Sequence, residues 1–386
     1  MLPQHLYIHV PFCARRCIYC DFAVEATRTP PTGEWVWAIA REMRLLAEEQ
    51  GWSAPLPLDT IYLGGGTPSV LAPGDLAALA EEFRESASWD PAMVEWTCEA
   101  NPESFTPTLA RAWRETGVNR ISLGAQTFHE PSLRWMGRLH GPEGPARAMD
   151  IAREAGFERV SIDLIFGLPA RLGRSWEADL DRALALEPDH ISLYGLTAEE
   201  GAPLGRRVAE GRERMPVEGR YAREYLRAHE RLTAAGFEHY EVSNFARPGQ
   251  ASRHNRAYWT NRPYVGLGPG AHGYLPPLRR WNTRDWHAYR NRLRTGILPV
   301  DGSERVGPEE AAVEEMWLTL RTASGRRWDA SSAPERALAR RWIDLGWAVE
   351  GGTGFRLSVE GWLRLDALAV EMARAAEQEE VGAGRG

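Results

Sequence analysis

Apolar runs of strand length punctuate the first half of the chain at residues 6–10, 61–63, 93–98, 121–123, 160–165 and 191–194. Between them, apolar positions recur at helical spacing near residues 34–49, 74–85, 108–116, 145–155 and 175–186. Strands alternating with helices predict βαβ units, a parallel sheet and right-handed crossovers. Six such units suit an α/β fold, a TIM-like partial (β/α)6 barrel rather than a closed eight-stranded one. In such folds the active site gathers at the C-terminal ends of the strands.

Beyond the sixth strand the spacing predicts a helix over residues 218–235, with Gly236 as its C-cap. Residues 243–277 are rich in Gly, Asn, Pro and aromatics and read as structured loop rather than linker. The composition shifts around residues 299–308, which divides the chain into a barrel with its loop region, residues 1–298, and a smaller unit, residues 299–386. The smaller unit reads as helix, helix, two short strands and helix, the order of a small winged-helix-like α+β domain. It has no basic recognition face, so DNA binding is not inferred from its shape.

The composition is that of an ordinary globular protein, 43% hydrophobic and 26% charged. No run approaches the roughly 18 apolar residues that span a bilayer, and the N-terminus has no secretion-signal pattern, so a cytoplasmic, non-transmembrane protein is expected. The net charge of −7 argues against a non-specific nucleic-acid binder. All 46 basic residues are arginine. A chain without lysine cannot form a Schiff base through an ε-amine, which excludes pyridoxal-phosphate enzymes, and it lacks the lysine that Walker-type NTPases, protein kinases and Ser-Lys hydrolases need.

Three of the four cysteines, Cys13, Cys17 and Cys20, fall on one short stretch directly after the first strand. In a reducing compartment, clustered thiols bind metal or do redox chemistry. Three thiolates on one loop can hold an iron–sulfur cluster and leave one iron open to a small chelating molecule. A zinc site with His9 as fourth ligand is the competing reading. Cys98 reads as a small buried apolar side chain. Gly64-Gly-Gly-Thr67 follows the second strand and lets backbone approach a ligand, or else forms an ordinary turn. Glu99, Gln126 and Asp163 stand at or near the ends of the third, fourth and fifth strands. In His254-Asn-Arg-Ala-Tyr258-Trp259, a helical conformation puts His254 and Tyr258 on one face. Such a set can ligate haem iron and pack its macrocycle, or simply pack together. Gly268-Pro-Gly-Ala-His-Gly273 fits a dinucleotide-binding pattern, but Pro269 and the Pro276-Pro277 pair forbid the required helix. This stretch is expected to wall a substrate or haem cavity, with His272 a second ligand candidate.

The segment Leu6-Tyr-Ile-His-Val-Pro-Phe-Cys13, with Cys17, Cys20, Asp21 and Phe22, resembles the radical S-adenosylmethionine (SAM) superfamily, and within it the branch of the oxygen-independent coproporphyrinogen III oxidases. The resemblance implies a [4Fe-4S] cluster on Cys13, Cys17 and Cys20, with SAM on the fourth iron. It implies that Gly65, Gly66 and Thr67 contact the methionyl end of SAM and that Glu99, Gln126 and Asp163 hydrogen-bond the cofactor. It also assigns Arg138 to the SAM carboxylate and Tyr7, Tyr19 and Gly195 to the cavity lining. The motif at His254, Tyr258 and Trp259 resembles the signature of the haem chaperone group called HemW, in which this histidine is implicated in haem binding. The oxidases carry a further cysteine at the position of Phe22 and a long segment ahead of the cluster motif. Both departures resemble HemW. The resemblance therefore implies haem binding and delivery to acceptor haemoproteins, with no catalytic residue assigned; a homodimer stays open. The alternative it leaves open is the porphyrin-biosynthetic oxidase itself, decarboxylating coproporphyrinogen III to protoporphyrinogen IX.

Overall fold

In the computed structural model, which describes residues 2–383 and side chains as far as residue 376, six parallel strands form the frame. They are β1 (His5–Val10), β2 (Thr60–Gly65), β3 (Glu95–Ala100), β4 (Arg120–Gln126), β5 (Arg159–Phe166) and β6 (His190–Gly195), each hydrogen-bonded to the next in chain order. The helices Thr32–Gln50, Asp75–Glu82, Pro107–Thr116, Gly144–Glu154 and Trp176–Ala185 connect them. The expected strand at 93–98 starts later, at Glu95, because Met93 is an exposed turn residue.

Successive side chains of a strand point to opposite faces. In β1, Leu6, Ile8 and Val10 are fully buried against the helices, while His5, Tyr7 and His9 turn the other way, toward the concave interior. The helix Thr32–Gln50 packs Trp35, Ile39 and Met43 into that helix-facing core.

Residues 243–277 contain more regular structure than their composition suggests. β7 (Glu238–Glu241) and β8 (Asn244–Ala246) form an antiparallel hairpin beside β6. β9 (Tyr264–Leu267) pairs parallel to β1, and β10 (His272–Leu275), β11 (Leu278–Asn282) and β12 (Val300–Arg305) continue as an antiparallel meander. These strands are three to six residues long and interrupted by Gly and Pro, too short for a periodicity argument to separate from loop. The twelve strands run β7-β8-β6-β5-β4-β3-β2-β1-β9-β10-β11-β12, with β7 and β12 as free ends, so the barrel stays open.

β12 belongs to this sheet, so the architecture changes after Arg305 and not at the expected division between residues 298 and 299. There follow the helices Pro308–Leu320, Ala333–Asp344, Val359–Trp362 and Leu365–Ala383 around a small antiparallel sheet of Arg326–Arg327, Gly354–Leu357 and Ala348–Gly351. This unit docks on the β7–β8 hairpin: Arg321 pairs with buried Glu241 at 3.6 Å, and Trp362 meets His239 edge-on with ring centroids 4.5 Å apart. Among the described residues no helix is long and apolar enough to cross a membrane.

Candidate functional site

A cavity of about 1130 Å³ opens where the strands end and extends down the concave face to β9 and β10. The common small-molecule pocket holds roughly 300–1,000 Å³, so there is room for more than one ligand. Cys13, Cys17 and Cys20 all line it. Their loop is pinned on two sides: Ile18 N–H reaches Met136 O at 3.1 Å, and Leu204 N–H reaches Ile18 O at 2.7 Å. The Arg16 and Arg284 guanidiniums bind the Cys20 and Asp21 carbonyls.

The thiols face donors suited to sulfur anions. The Thr67 hydroxyl is 3.2 Å from Cys13 Sγ, and an Arg138 N–H lies 3.9 Å from Cys17 Sγ. Burial pushes the Cys13 thiol up to about 12, so it waits for a metal or cation to take its proton's place. Among the described residues no three His, Cys, Asp or Glu side chains close around a single ion. His9 is spoken for at both ring nitrogens, Nδ1 by the Tyr7 hydroxyl at 3.0 Å and Nε2 by Ala23 O at 2.9 Å. A one-metal zinc centre on His9 does not fit this geometry, whereas three loop thiols around a wide space fit a larger cluster. Cys98 is fully buried in β3 and does not line the cavity.

The glycine turn sits against the cysteine strand. Gly65 adopts φ +107, and a Cβ on it would run into the His9 ring; one on Gly66 would fall 2.7 Å from Val10 O and 2.8 Å from Phe12 O. Their backbone can lie this close to β1 only because both lack side chains. Gly65 N–H donates to Glu99 Oε2 at 3.1 Å.

Glu99 and Asp163 face the cavity, and among the described residues neither has an ion-pair partner. Burial first, then the charge of Asp163, pushes the Glu99 carboxyl up to about 7; burial pushes Asp163 up to about 6 against hydrogen bonds from Ser192 and Ser122. Two buried carboxylates held together in this way form a receptor for a cation. Gln126 follows a β-bulge after Gly124 and has φ 66, a strained conformation for this residue. The bulge turns its side chain toward the cavity it lines. Arg138 donates to Asn101 Oδ1 and to Gly124 O, both at 2.7 Å. Tyr7, Tyr19, Gly65, Gly66, Thr67 and Gly195 also line the cavity.

His254 does not join them. It lies on the helix Arg253–Trp259, 1% exposed, at the start of the barrel strands and away from the cysteine loop. Its Nδ1 meets Thr60 Oγ1 at 2.7 Å and its Nε2 meets the Tyr258 hydroxyl at 2.9 Å. The motif is helical as expected, and the helix brings the His254 and Tyr258 side chains together. Tyr258 and Trp259 do line the cavity, and Trp259 Nε1 is buried with no hydrogen-bond partner among the described residues.

Several cavity residues were not legible in the sequence. Asn101 lies within the Glu99 motif itself, and its Nδ2 reaches Thr67 at 3.1 Å. Tyr62, behind the lining, donates to Glu99 and stacks between Tyr7 and His254, 6.2 and 5.1 Å away. Tyr264, Tyr274, Arg279 and Trp317 come from the meander and the C-terminal unit, and no sequence pattern tied them to the barrel mouth.

Residues 7–183 match the radical SAM superfamily. A haem chaperone HemW of Mycobacterium tuberculosis is 37% identical over 372 residues, covering 95% of this chain and 94% of its own. The HemW of Bacillus subtilis is 35% identical and covers 83% of each chain. A mouse mitochondrial protein named for its radical SAM domain is 34% identical over 95% of this chain and 86% of its own. Among solved structures, the coproporphyrinogen III oxidase HemN of Escherichia coli superposes with TM-score 0.81 over 96% of this chain and 90% of that one. Its 19% identity makes that a likeness of fold. The glycine turn, the three loop cysteines and the relatives' near full-length coverage agree, and the chain belongs to the HemW family of the radical SAM superfamily.

Proposed function

We propose that this protein binds haem and passes it to acceptor haemoproteins, in the cytoplasm, while holding a [4Fe-4S] cluster and SAM in the same cavity. One observation carries the reading: a single cavity joins three loop thiols at one end to a wall of aromatic side chains and arginines at the other. Cys13, Cys17 and Cys20 would hold the cluster, with Thr67 and Arg138 donating toward sulfur. Glu99 and Asp163 would bind the cationic end of SAM, and Arg138 its carboxylate, since a guanidinium suits a carboxylate. The cluster, when bound, supplies an open iron and a one-electron donor. Tyr258, Trp259, Tyr264 and Tyr274 would pack a flat apolar macrocycle. A reducing cytoplasm keeps the thiols available for iron.

The HemW names of the relatives favour this reading over oxidative decarboxylation, and Phe22 at the cluster loop, 60% exposed, offers no thiol of the oxidase kind. The test is a titration of anaerobically reconstituted protein with haem, followed by incubation with a haem-free acceptor. Stoichiometric uptake and transfer support the proposal. Multiple turnovers of coproporphyrinogen III to protoporphyrinogen IX with SAM, without haem uptake, overturn it.

A further inference from the structure

Six arginines line the cavity, and four of them are occupied. Arg16 donates to Cys20 O, Arg138 to Asn101 and Gly124 O, Arg279 to Glu304 and Glu314, and Arg284 to Asp21 O. The guanidiniums of Arg15 and Arg262 have no hydrogen bond or ion pair among the described residues. Arg15 belongs to the cysteine loop. Arg262 stands elsewhere, between the helix Arg253–Trp259 and β9. Unpartnered arginines are common on protein surfaces, but this one borders a cavity of ligand size.

The backbone that carries Arg262 is held. Asn261 adopts φ 50, a left-handed conformation that asparagine tolerates at the end of a helix. The Asn261 N–H reaches Tyr258 O at 3.0 Å, and the Arg262 N–H reaches Ala257 O at 2.9 Å. Pro263 then disfavours a helical conformation at Arg262. On either side in sequence stand Tyr258 and Tyr264, whose rings meet edge-on at 4.7 Å, and Tyr264 is opposite Tyr274 in the β9–β10 pairing. Asn261 lines the cavity as well, and its side-chain amide has no partner among the described residues. A flat apolar ring packed on the tyrosines would present its edge to an amide and a guanidinium, donors that suit a carboxylate.

The cavity is also electrically polar. Tyr264 pairs with His5, His5 with Thr60 and Thr60 with Glu95, so Glu99 stands four residues further along the strands than Tyr264, about 13 Å of strand rise. The Glu99 and Asp163 carboxylates line the cavity toward the cysteine loop and repel an acid group there, whereas Arg262 attracts one at the strand starts. Building on the haem-binding reading above, we propose that Arg262, with Asn261, binds the carboxylate edge of haem and sets its orientation. The carboxylates then point away from the cluster end, and the ring lies on the motif helix against Tyr258 and Tyr264. Arg262 is thus a specificity-determining residue, which selects macrocycles with an acid edge over uncharged ones.

The experiment compares two ligands of full-length protein by Soret titration: haemin, and iron etioporphyrin, the same ring with alkyl groups in place of the carboxylates. Wild type binds haemin the more tightly. Arg262→Gln lowers haemin affinity by about tenfold, the lower end of what a charge-assisted hydrogen bond contributes, and leaves iron etioporphyrin unchanged. Arg262→Lys, which keeps the charge, recovers part of the loss. Arg340→Gln, exposed and outside the cavity, behaves as wild type with both ligands. Unchanged haemin affinity in Arg262→Gln overturns this proposal, and so does an equal loss of both ligands, which marks a merely structural role; either result leaves the haem reading standing. A wild type that binds neither ligand overturns both.

Discussion

Tyr62 donates its phenolic proton to Glu99 Oε1 over 2.8 Å. With the Gly65 N–H on Oε2, this bond fixes the carboxylate plane and leaves its charge facing the cavity. Because burial and Asp163 raise the Glu99 carboxyl to about 7, its charge state changes near neutrality. The ionised form favours a cation, so the affinity for SAM should rise between pH 6 and pH 8 by up to about tenfold. Calorimetric titrations across that range measure it, and Glu99→Gln should bind weakly with a flat profile. The effect on stability has the opposite sign. The folded state keeps the proton that the unfolded chain releases near its ordinary pKa, so stability is lost as pH rises toward 7. Glu99→Gln should therefore unfold later than wild type at pH 8, by about 1–3 kcal/mol. A variant that tracked wild type at every pH would refute the assignment of this titration to Glu99.

Removing one sulfur should separate metal binding from folding. Cys17 is only partly buried and its sulfur meets only the long 3.9 Å approach of an Arg138 N–H, so Cys17→Ala should cost less than about 1 kcal/mol of apo stability. The same change leaves the proposed cluster two protein ligands. Anaerobic reconstitution should give a brown chromophore and iron in wild type and little of either in the variant, with circular dichroism unchanged. Full iron content in Cys17→Ala would sink the ligand set.

The frame of the fold was legible because each parallel strand carries a run of apolar residues against its helices, and three of them add a polar residue at or near the end. Glu99, Gln126 and Asp163 could be found by that rule alone. The rule does not apply to the meander. Strands such as β9, with the sequence Tyr-Val-Gly-Leu, are too short to have a readable period, and their pairing with β1 is fixed by tertiary contact. His254 shows a different limit. Helical spacing correctly put it beside Tyr258, but spacing cannot say whether two polar groups on one face reach a ligand or each other. Trp317 and Leu318 line the cavity from the C-terminal unit, so part of the site is contributed by a unit that sequence reasoning set aside.

Beside the pairing of β9 with β1, a single buried carboxylate gathers bonds from the meander onto the first helix. Glu42, on the helix Thr32–Gln50, accepts from Tyr289 and from Asn282 Nδ2, both at 2.6 Å, and from Gly268 N–H at 2.8 Å. All three donors are buried, and removing their common acceptor leaves them unpaired. Glu42→Ala should lower the unfolding free energy by about 2–4 kcal/mol, read as an earlier denaturant midpoint at unchanged slope. Because the same bonds hold the turn that leads into β10 and its cavity-lining Tyr274, haem affinity should fall in this variant even under conditions where it remains folded. Unchanged stability would show that the network is not the anchor.

Gly195 distinguishes a packing requirement from a ligand requirement. It ends β6 and lines the cavity, yet a Cβ built on it falls on the Tyr221 hydroxyl. Glycine is needed there because an aromatic side chain from the helix Glu218–Ala234 occupies the place of its own side chain. Gly195→Ala should destabilise by about 1–3 kcal/mol as Tyr221 is forced aside. Tyr221→Ala opens that space, so the double variant should be clearly less destabilised than the sum of the two single ones. Thermal melts of the four proteins measure the coupling. Additive losses would mean that the cost at Gly195 does not come from Tyr221 and would refute this packing account.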